Sequence, residues 1–295
     1  MSEVDIFWDP NGLVLDSLGK KKFRRITDGD TPYVEMPIRM LSIDTPEVHY
    51  PGNQNPQRHD EKFVDLAGWI QAGRAPVSDE LAAYLLPRLA TGTAGTLQKQ
   101  QGEKATQAFQ QLLDLKLTKP NGSKRTVFLR AADQPFDQYG RLLAYMAPSY
   151  NSREQAGMSY HDRATFNLLM VESGWAASFP IYPSLPKYRD MVMLREGGKK
   201  AFENGLGAWE EAHHVLTGYE FRMCYRLWDL TRKLVQGKRL STRERSGWVR
   251  RYCVDMTTRC IHEPQDYHKV KPYDRIFIWP QGVGEAVAAM NLIPG

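Results

Sequence analysis

The chain has 295 residues, of which 42% are apolar and 25% are charged, and its formal net charge is +5. This composition is typical of soluble globular proteins. No segment approaches the roughly 20 apolar residues of a membrane span, and 3 cysteines are too few for a disulfide framework. The acidic start of the chain lacks a signal-peptide pattern, so we expect a cytoplasmic protein. The positive charge alone gives weak support for a polyanionic partner.

The first predicted elements are an N-terminal arm and a basic strand. Residues 1–19 mix Pro, Gly and isolated apolar positions, so we expect an arm that packs on the first strand. That strand, Phe23–Ile26, lies within a cluster of lysines and arginines. The cluster either faces phosphate groups or forms a solvated strand edge, where lysine is common.

The next stretch, Asp28–Glu47, reads DGDTPYVEMPIRMLSIDTPE. Asp28–Thr31 is predicted to be a turn, because glycine tolerates positive φ and Asp side chains bond their own backbone. The two-residue period of the following strand places Arg39 on the same face as its core residues. A cation on that face needs an anionic partner or ligand. Pro46 ends the strand.

Two carboxylates of this stretch, Asp30 and Asp44, stand at predicted strand ends. They could converge on a hard cation, which prefers oxygen ligands. Taken singly, each is better explained as a turn-forming residue.

The pattern DGDT, followed by Arg39-x4-Asp44-Thr-Pro-Glu47, resembles the staphylococcal nuclease family. A second segment, Asp137–Tyr145 (DQYGRLLAY), is similar to the D-x-Y-G-R-x-L-A-Y segment of that family. The resemblance covers about residues 20–209. It implies an α+β fold, in which helices pack on a five-stranded β-barrel of the OB type, a fold that commonly binds nucleic acid.

The resemblance also implies a metal site. Asp30, Asp44 and the carbonyl group of Thr45 would hold a divalent cation. Calcium is the metal of the family, although an all-oxygen site does not exclude magnesium or manganese.

The same resemblance assigns catalytic roles. Arg39 and Arg141 would bind the phosphate with paired hydrogen bonds, and Glu47 would orient or deprotonate the attacking water. Tyr139 and Tyr182 would contact the substrate, and Pro180 stands where the family has a further tyrosine.

These residues predict a metal-dependent nuclease acting on DNA, RNA or both, because the whole catalytic set is retained. Two alternatives stay open at this point. One is a non-catalytic protein that binds nucleic acid or serves as a scaffold. The other is a nuclease that needs a partner for activation.

Residues 52–100 are predicted to be a helical insertion, because the connection is much shorter in the family. We expect helices near 60–72 and 78–90, and the insertion follows Glu47 closely enough to cover or gate the site. Further on, the periodicity predicts a helix that begins at Gly102. It also predicts strands over 126–131 and 141–147 and helices over 163–174 and 187–209.

The predicted second domain, 210–295, combines a basic helix with a small β-rich module. Between Tyr219 and Arg251, 10 Lys or Arg stand against 3 Asp or Glu, a net charge of +7. At helical spacing, Arg222 shares a face with Arg226 and Lys233. That face either is solvated or binds a nucleic-acid backbone.

The last 45 residues faintly resemble the zinc module of the Ada DNA-repair protein, without its four metal cysteines. A metal site built from Cys253, Cys260, His262 and His268 is an alternative, although its spacing is not a standard zinc pattern. We favour a metal-free structural module.

Overall fold

The structure is a computed structural model that describes residues 18–211 and 214–295. Most of the expected N-terminal arm therefore lies outside the described residues. The strands are β1 (Lys22–Ile26), β2 (Pro32–Glu35), β3 (Ile38–Met40), β4 (Ile43–Asp44), β5 (Val127–Phe136), β6 (Leu142–Pro148), β7 (Ala177–Ser178), β8 (Ile181–Tyr182), β9 (Tyr252–Asp255), β10 (Cys260–His262), β11 (Arg275–Ile278) and β12 (Ile293–Pro294). The helices are α1 (Asp60–Gln71), α2 (Asp79–Leu89), α3 (Ala94–Leu117), α4 (Ser152–Gln155), α5 (Phe166–Glu172), α6 (Tyr188–Glu203), α7 (Gly218–Val235), α8 (Thr242–Ser246) and α9 (Val283–Met290).

The helices predicted in the insertion are confirmed as α1 and α2. Ser78 caps α2 by accepting a hydrogen bond from the Leu81 N–H, as the sequence indicates. The helix predicted from Gly102 begins earlier, at Ala94, so α3 reaches back into the predicted insertion. The helix predicted over 187–209 ends at Glu203, because positive φ angles at Gly205 and Gly207 interrupt it before a separate short turn.

The strands of the first half form three separate units. β3 pairs with β6 in parallel and β6 with β5 in antiparallel. Among the described strands, β1 and β2 pair only with each other, and β4 pairs only with β7. The fold is α+β, but the described strands do not close into the predicted five-stranded barrel. Within residues 18–211 and 214–295, the outer edges of β1 and β5 have no strand partner, and apolar side chains such as Phe23 and Phe128 are exposed on these strands.

The main hydrophobic core joins the insertion to the C-terminal region. Side chains of α1, α2 and α7 are fully buried together with residues of β9 and β11; they include Phe63, Leu66, Leu81, Leu85, Phe221, Met223, Leu227, Cys253 and Phe277. Each large apolar side chain contributes roughly 1.5–3 kcal/mol when buried. The core therefore contains residues from both sides of position 209, where the sequence predicts a domain boundary. The division into two domains stays a prediction.

The C-terminal sheet has the strand order β12-β10-β9-β11-β8. Its edge strand β8 comes from the first half of the chain, so the sheet is also shared by both halves. Among the residues that the structure describes, no group of three His, Cys, Asp or Glu side chains could hold a metal ion, and the zinc alternative finds no support. No helix within the described ranges is long and apolar enough to cross a membrane.

Candidate active site

The site begins at a sharp bend between β3 and β4. Ser42 adopts a left-handed φ of 58°, which is uncommon for a residue other than glycine. Its hydroxyl lies 2.6 Å from the Tyr145 hydroxyl of β6, and its carbonyl accepts the Phe179 N–H at 2.8 Å. The bend turns Asp44 back toward β3, where Arg39 Nη2 donates to Asp44 Oδ1 at 2.9 Å. Local backbone geometry thus creates the first ion pair of the site.

A second arginine reaches the same carboxylate from α7. Arg222 Nη2 donates to Asp44 Oδ1 at 2.9 Å, and Arg222 Nη1 donates to Glu47 Oε1. Only 1% of the Asp44 side chain is exposed. One guanidinium therefore bridges the two carboxylates that the sequence places in the site.

Burial and charge act on these groups in opposite directions. Burial alone raises the pKa of Asp44, but the positive charges of Arg222 and Arg39 outweigh it and hold that pKa below its ordinary value. Burial also raises the pKa of Glu47; the charge of Arg222 opposes this shift, the charge of Asp44 adds to it, and the pKa stays above its ordinary value. A carboxylate with a raised pKa is better suited to act as a general base near neutral pH.

The backbone of Glu47 is held by α3. A Cβ atom on Gly102 would lie 3.0 Å from the Glu47 carbonyl oxygen, so the helix approaches this closely because the residue is glycine. In the amide orientation that satisfies both of its groups, Gln98 accepts the Glu47 N–H at 2.8 Å and donates to the Leu216 carbonyl at 2.9 Å. The link connects α3, the site and the segment that leads into α7.

A third cation, Arg251, lies close enough to interact with Asp44 and Arg222. Its guanidinium stacks 4.1 Å from the Trp279 ring centre and 5.4 Å from those of Phe179 and Tyr219. Burial lowers the pKa of Arg251 to about 10, with the charge of Arg222 adding to the shift. Arg251 therefore stays charged at neutral pH, and the site carries more positive than negative charge.

Other predicted residues lie apart from this cluster. Asp30 is exposed in the β1–β2 turn and accepts a hydrogen bond from the Thr31 hydroxyl at 3.1 Å. Arg141 Nε donates to Asp137 Oδ2 at 2.7 Å. Arg141 lies just before β6, two residues ahead of Leu143, which is the register partner of Arg39 on β3.

The two predicted substrate tyrosines also lie in different surroundings. Tyr139 is 70% exposed in the turn before β6. Tyr182 belongs to β8 in the C-terminal sheet, where its hydroxyl donates to Glu285 Oε1 at 2.8 Å.

The described residues do not fit the calcium site implied by the resemblance. Ca²⁺ takes six to eight oxygen ligands, but only Asp44 and Thr45 of the three predicted ligands lie at the site. Asp44 Oδ2 is buried without a hydrogen-bond partner among the described residues. The start of α7 covers it: a Cβ atom on Gly218 would lie 2.7 Å from Oδ2 and would overlap the Thr45 carbonyl oxygen.

A comparison with protein families gives a match to the first half of the site. Residues 37–211, more than half of the chain, match the family model described as staphylococcal nuclease homologue. The chain belongs to this family. None of the curated proteins matches it. The nuclease-family match includes Arg39, Asp44, Glu47 and Arg141, but it ends before Arg222.

Little in the sequence indicates that Arg222 belongs to this site. Its segment is rich in positive charge, and Thr217 with Glu220 forms the capping box that starts α7. These features indicate a basic helix, but neither indicates that the helix begins against Asp44. That contact depends on tertiary packing across 178 residues of sequence.

Proposed function

We propose that the chain is a nuclease that hydrolyses phosphodiester bonds of DNA, RNA or both. Membership in the staphylococcal nuclease homologue family suggests a nuclease-like function. The observation that carries the proposal is the pairing of Asp44 with Arg39 and Arg222, with Glu47 on the far side of Arg222. A carboxylate pair with one buried and one partly exposed member, in a cation-rich site, is chemically suited to an anionic substrate.

Phosphodiester cleavage gathers further negative charge in the transition state, so preorganised donors lower the barrier. Arg39 uses only its Nη2 in the ion pair with Asp44, which leaves N–H groups of its planar fork for a phosphate oxygen. Arg141, which lies just before β6, is the second proposed phosphate ligand. Glu47 is the proposed general base or orienting group for the attacking water.

Calcium, implied by the resemblance, stays a prediction without support from the geometry, and no step of this proposal depends on it. Chelation decides the matter: loss of cleavage in EDTA, restored by calcium, magnesium or manganese, would identify a metal requirement. The cytoplasmic location is part of the proposal and is based on the sequence alone.

The closed OB-type barrel is also part of the proposal. Its closure would pair β1 with β5, and it would cover apolar side chains that are exposed on these strands. Phe23 and Ile26 on β1 are 60% and 58% exposed, and Phe128 on β5 is 54% exposed.

The experiment is an assay with end-labelled single- and double-stranded DNA and RNA, with and without EDTA. We expect cleavage by the wild-type protein and a loss of about 10²-fold or more in Glu47→Gln, as is typical for removal of a group that acts in the transition state. Glu61→Gln, at an exposed position at the start of α1, is the matched control and should cleave at the wild-type rate. Equal rates for Glu47→Gln and wild type would show that the role of Glu47 is wrong.

A second candidate is a non-catalytic protein that binds nucleic acid. One observation favours it: Arg222 engages Oδ1 of Asp44 and Oε1 of Glu47, and these ion pairs reduce the capacity of both carboxylates to activate water. Binding to every labelled substrate without cleavage of any would support this candidate.

A further inference from the structure

A single guanidinium fills the space between the two acidic groups of the site. Arg222 donates from Nη2 to Asp44 and from Nη1 to Glu47, so the same side chain contacts both carboxylates. The carboxylates in turn raise the pKa of Arg222, although burial opposes its charge. A divalent ion that contacted both carboxylates would have to displace this guanidinium.

Two further oxygens of the predicted metal site are closed to an ion in the described part of the chain. Asp44 Oδ2 and the Thr45 carbonyl both face Gly218, whose backbone packs so closely that even a methyl group would overlap. Gly218 is the first residue of α7, and the positive end of the helix dipole compensates the unpaired oxygen. The charges of Arg39 and Arg251 add repulsion against a further cation.

The helix that carries Arg222 is fixed in place. Phe221, Met223 and Leu227, on either side of Arg222, are fully buried in the core shared with α1 and α2. Glu220, 1% exposed, accepts hydrogen bonds from Tyr84 at 2.8 Å and from Arg275 at 3.4 Å. Withdrawal of α7 would disrupt this core, so Arg222 belongs to the folded site.

We infer that Arg222 is the resident cation of the Asp44–Glu47 pair and that the chain binds no divalent ion at these carboxylates while Arg222 is present. Arg222 is a positioning residue, since it acts through the two carboxylates. The inference rests on the proposed function only because it treats these residues as the site that binds the phosphodiester.

The test is ion binding to the full chain, measured by calorimetry with Ca²⁺ and by luminescence with Tb³⁺. The variants are Arg222→Gln, which is neutral, and Arg222→Lys, which keeps the charge. Arg226→Gln is the matched control, because Arg226 is exposed on the same helix and has no recorded ion pair among the described residues. Asp44→Asn, alone and combined with Arg222→Gln, locates any site that is found. Circular dichroism establishes that each variant is folded.

We expect Arg222→Gln to gain one site that binds at least about tenfold more tightly than wild type, and we expect Asp44→Asn to abolish it. Arg222→Lys and Arg226→Gln should match wild type. A wild-type site that Asp44→Asn removes would overturn the inference, even if Arg222→Gln did not fold. A folded Arg222→Gln variant without a new site would overturn it as well. The measurement needs no cleavage, so it can fail or succeed independently of the proposed nuclease activity.

Discussion

The β1–β2 hairpin and helix α7 contribute to the site in the opposite way to that predicted from the sequence. The hairpin carries Asp30, a predicted metal ligand, yet its strands are almost entirely exposed. Helix α7 carries Arg222 on a face that the sequence describes as solvated or as binding a nucleic-acid backbone, yet this arginine bridges the two carboxylates of the site. The difference lies in burial: α7 has fully buried apolar residues and the hairpin has none. A charged side chain is held in place when the helix or strand that carries it is anchored in the hydrophobic core.

The largest effect is expected where α7 is anchored. Glu220→Ala would leave Arg275 buried without its carboxylate partner, and we expect a loss of about 3–5 kcal/mol in the free energy of unfolding. Urea denaturation measures it. Asp229→Ala, which breaks half-exposed ion pairs on the same helix, should cost no more than about 1 kcal/mol. Equal losses for the two variants would mean that the buried pair does not anchor α7.

The second prediction compares the cleavage rates of variants at Asp30, in the hairpin, and at Arg39, on β3 before the bend at Ser42. Arg39→Ala should reduce the cleavage rate by about 10²-fold or more, because it removes a phosphate donor. Asp30→Ala should stay within about threefold of wild type, since surface substitutions typically change free energies by no more than about 0.5 kcal/mol. If Asp30→Ala lost as much activity as Arg39→Ala, the hairpin would belong to the site after all.

A smaller effect is expected from pH. His59 is fully buried where the insertion meets α7, and its Nε2 donates to the Tyr50 carbonyl at 2.9 Å. Burial lowers the pKa of His59 below its ordinary value of 6.5, so the folded state favours the neutral ring. The free energy of unfolding should therefore decrease as the pH falls from 6.5 toward the lower pKa of the folded state.

His59→Gln should remove this part of the pH dependence. Urea denaturation of both proteins between pH 8 and pH 5 gives the comparison, and pH 8 is the internal reference because His59 is neutral there in both states. An unchanged slope in His59→Gln would assign the pH dependence to other groups.

The smallest effect is expected in the hairpin. Arg24 forms an ion pair with Glu35, and the two side chains are 54% and 41% exposed. Solvent screens such a pair, so Arg24→Ala should change the free energy of unfolding by less than about 1 kcal/mol. A thermal melt of the variant measures it, and a much larger loss would show that the hairpin is coupled to the core.

The sequence predicts best what depends on neighbouring residues. The helices of the insertion follow from apolar periodicity and the Ser78 cap, and the strand period predicts that Arg39 needs an anionic partner or ligand. The bend at Ser42, which makes Asp44 that partner, is not predicted from the sequence. The place of Arg222 in the site depends on its contact with Glu47, which lies 175 residues away in the sequence. It could not be inferred from spacing. The closed barrel is absent from the described strands because β1 pairs only with β2, although both segments have strand-forming residues.

The central claim is that the site is shared between the family-matched region and α7. A double-mutant cycle between Glu47→Gln and Arg222→Gln tests it most directly, with the free energy of unfolding as the measured quantity. If the two side chains contact each other, the cycle should give a coupling energy of about 1 kcal/mol or more. Effects that add to within about 0.5 kcal/mol would contradict the account.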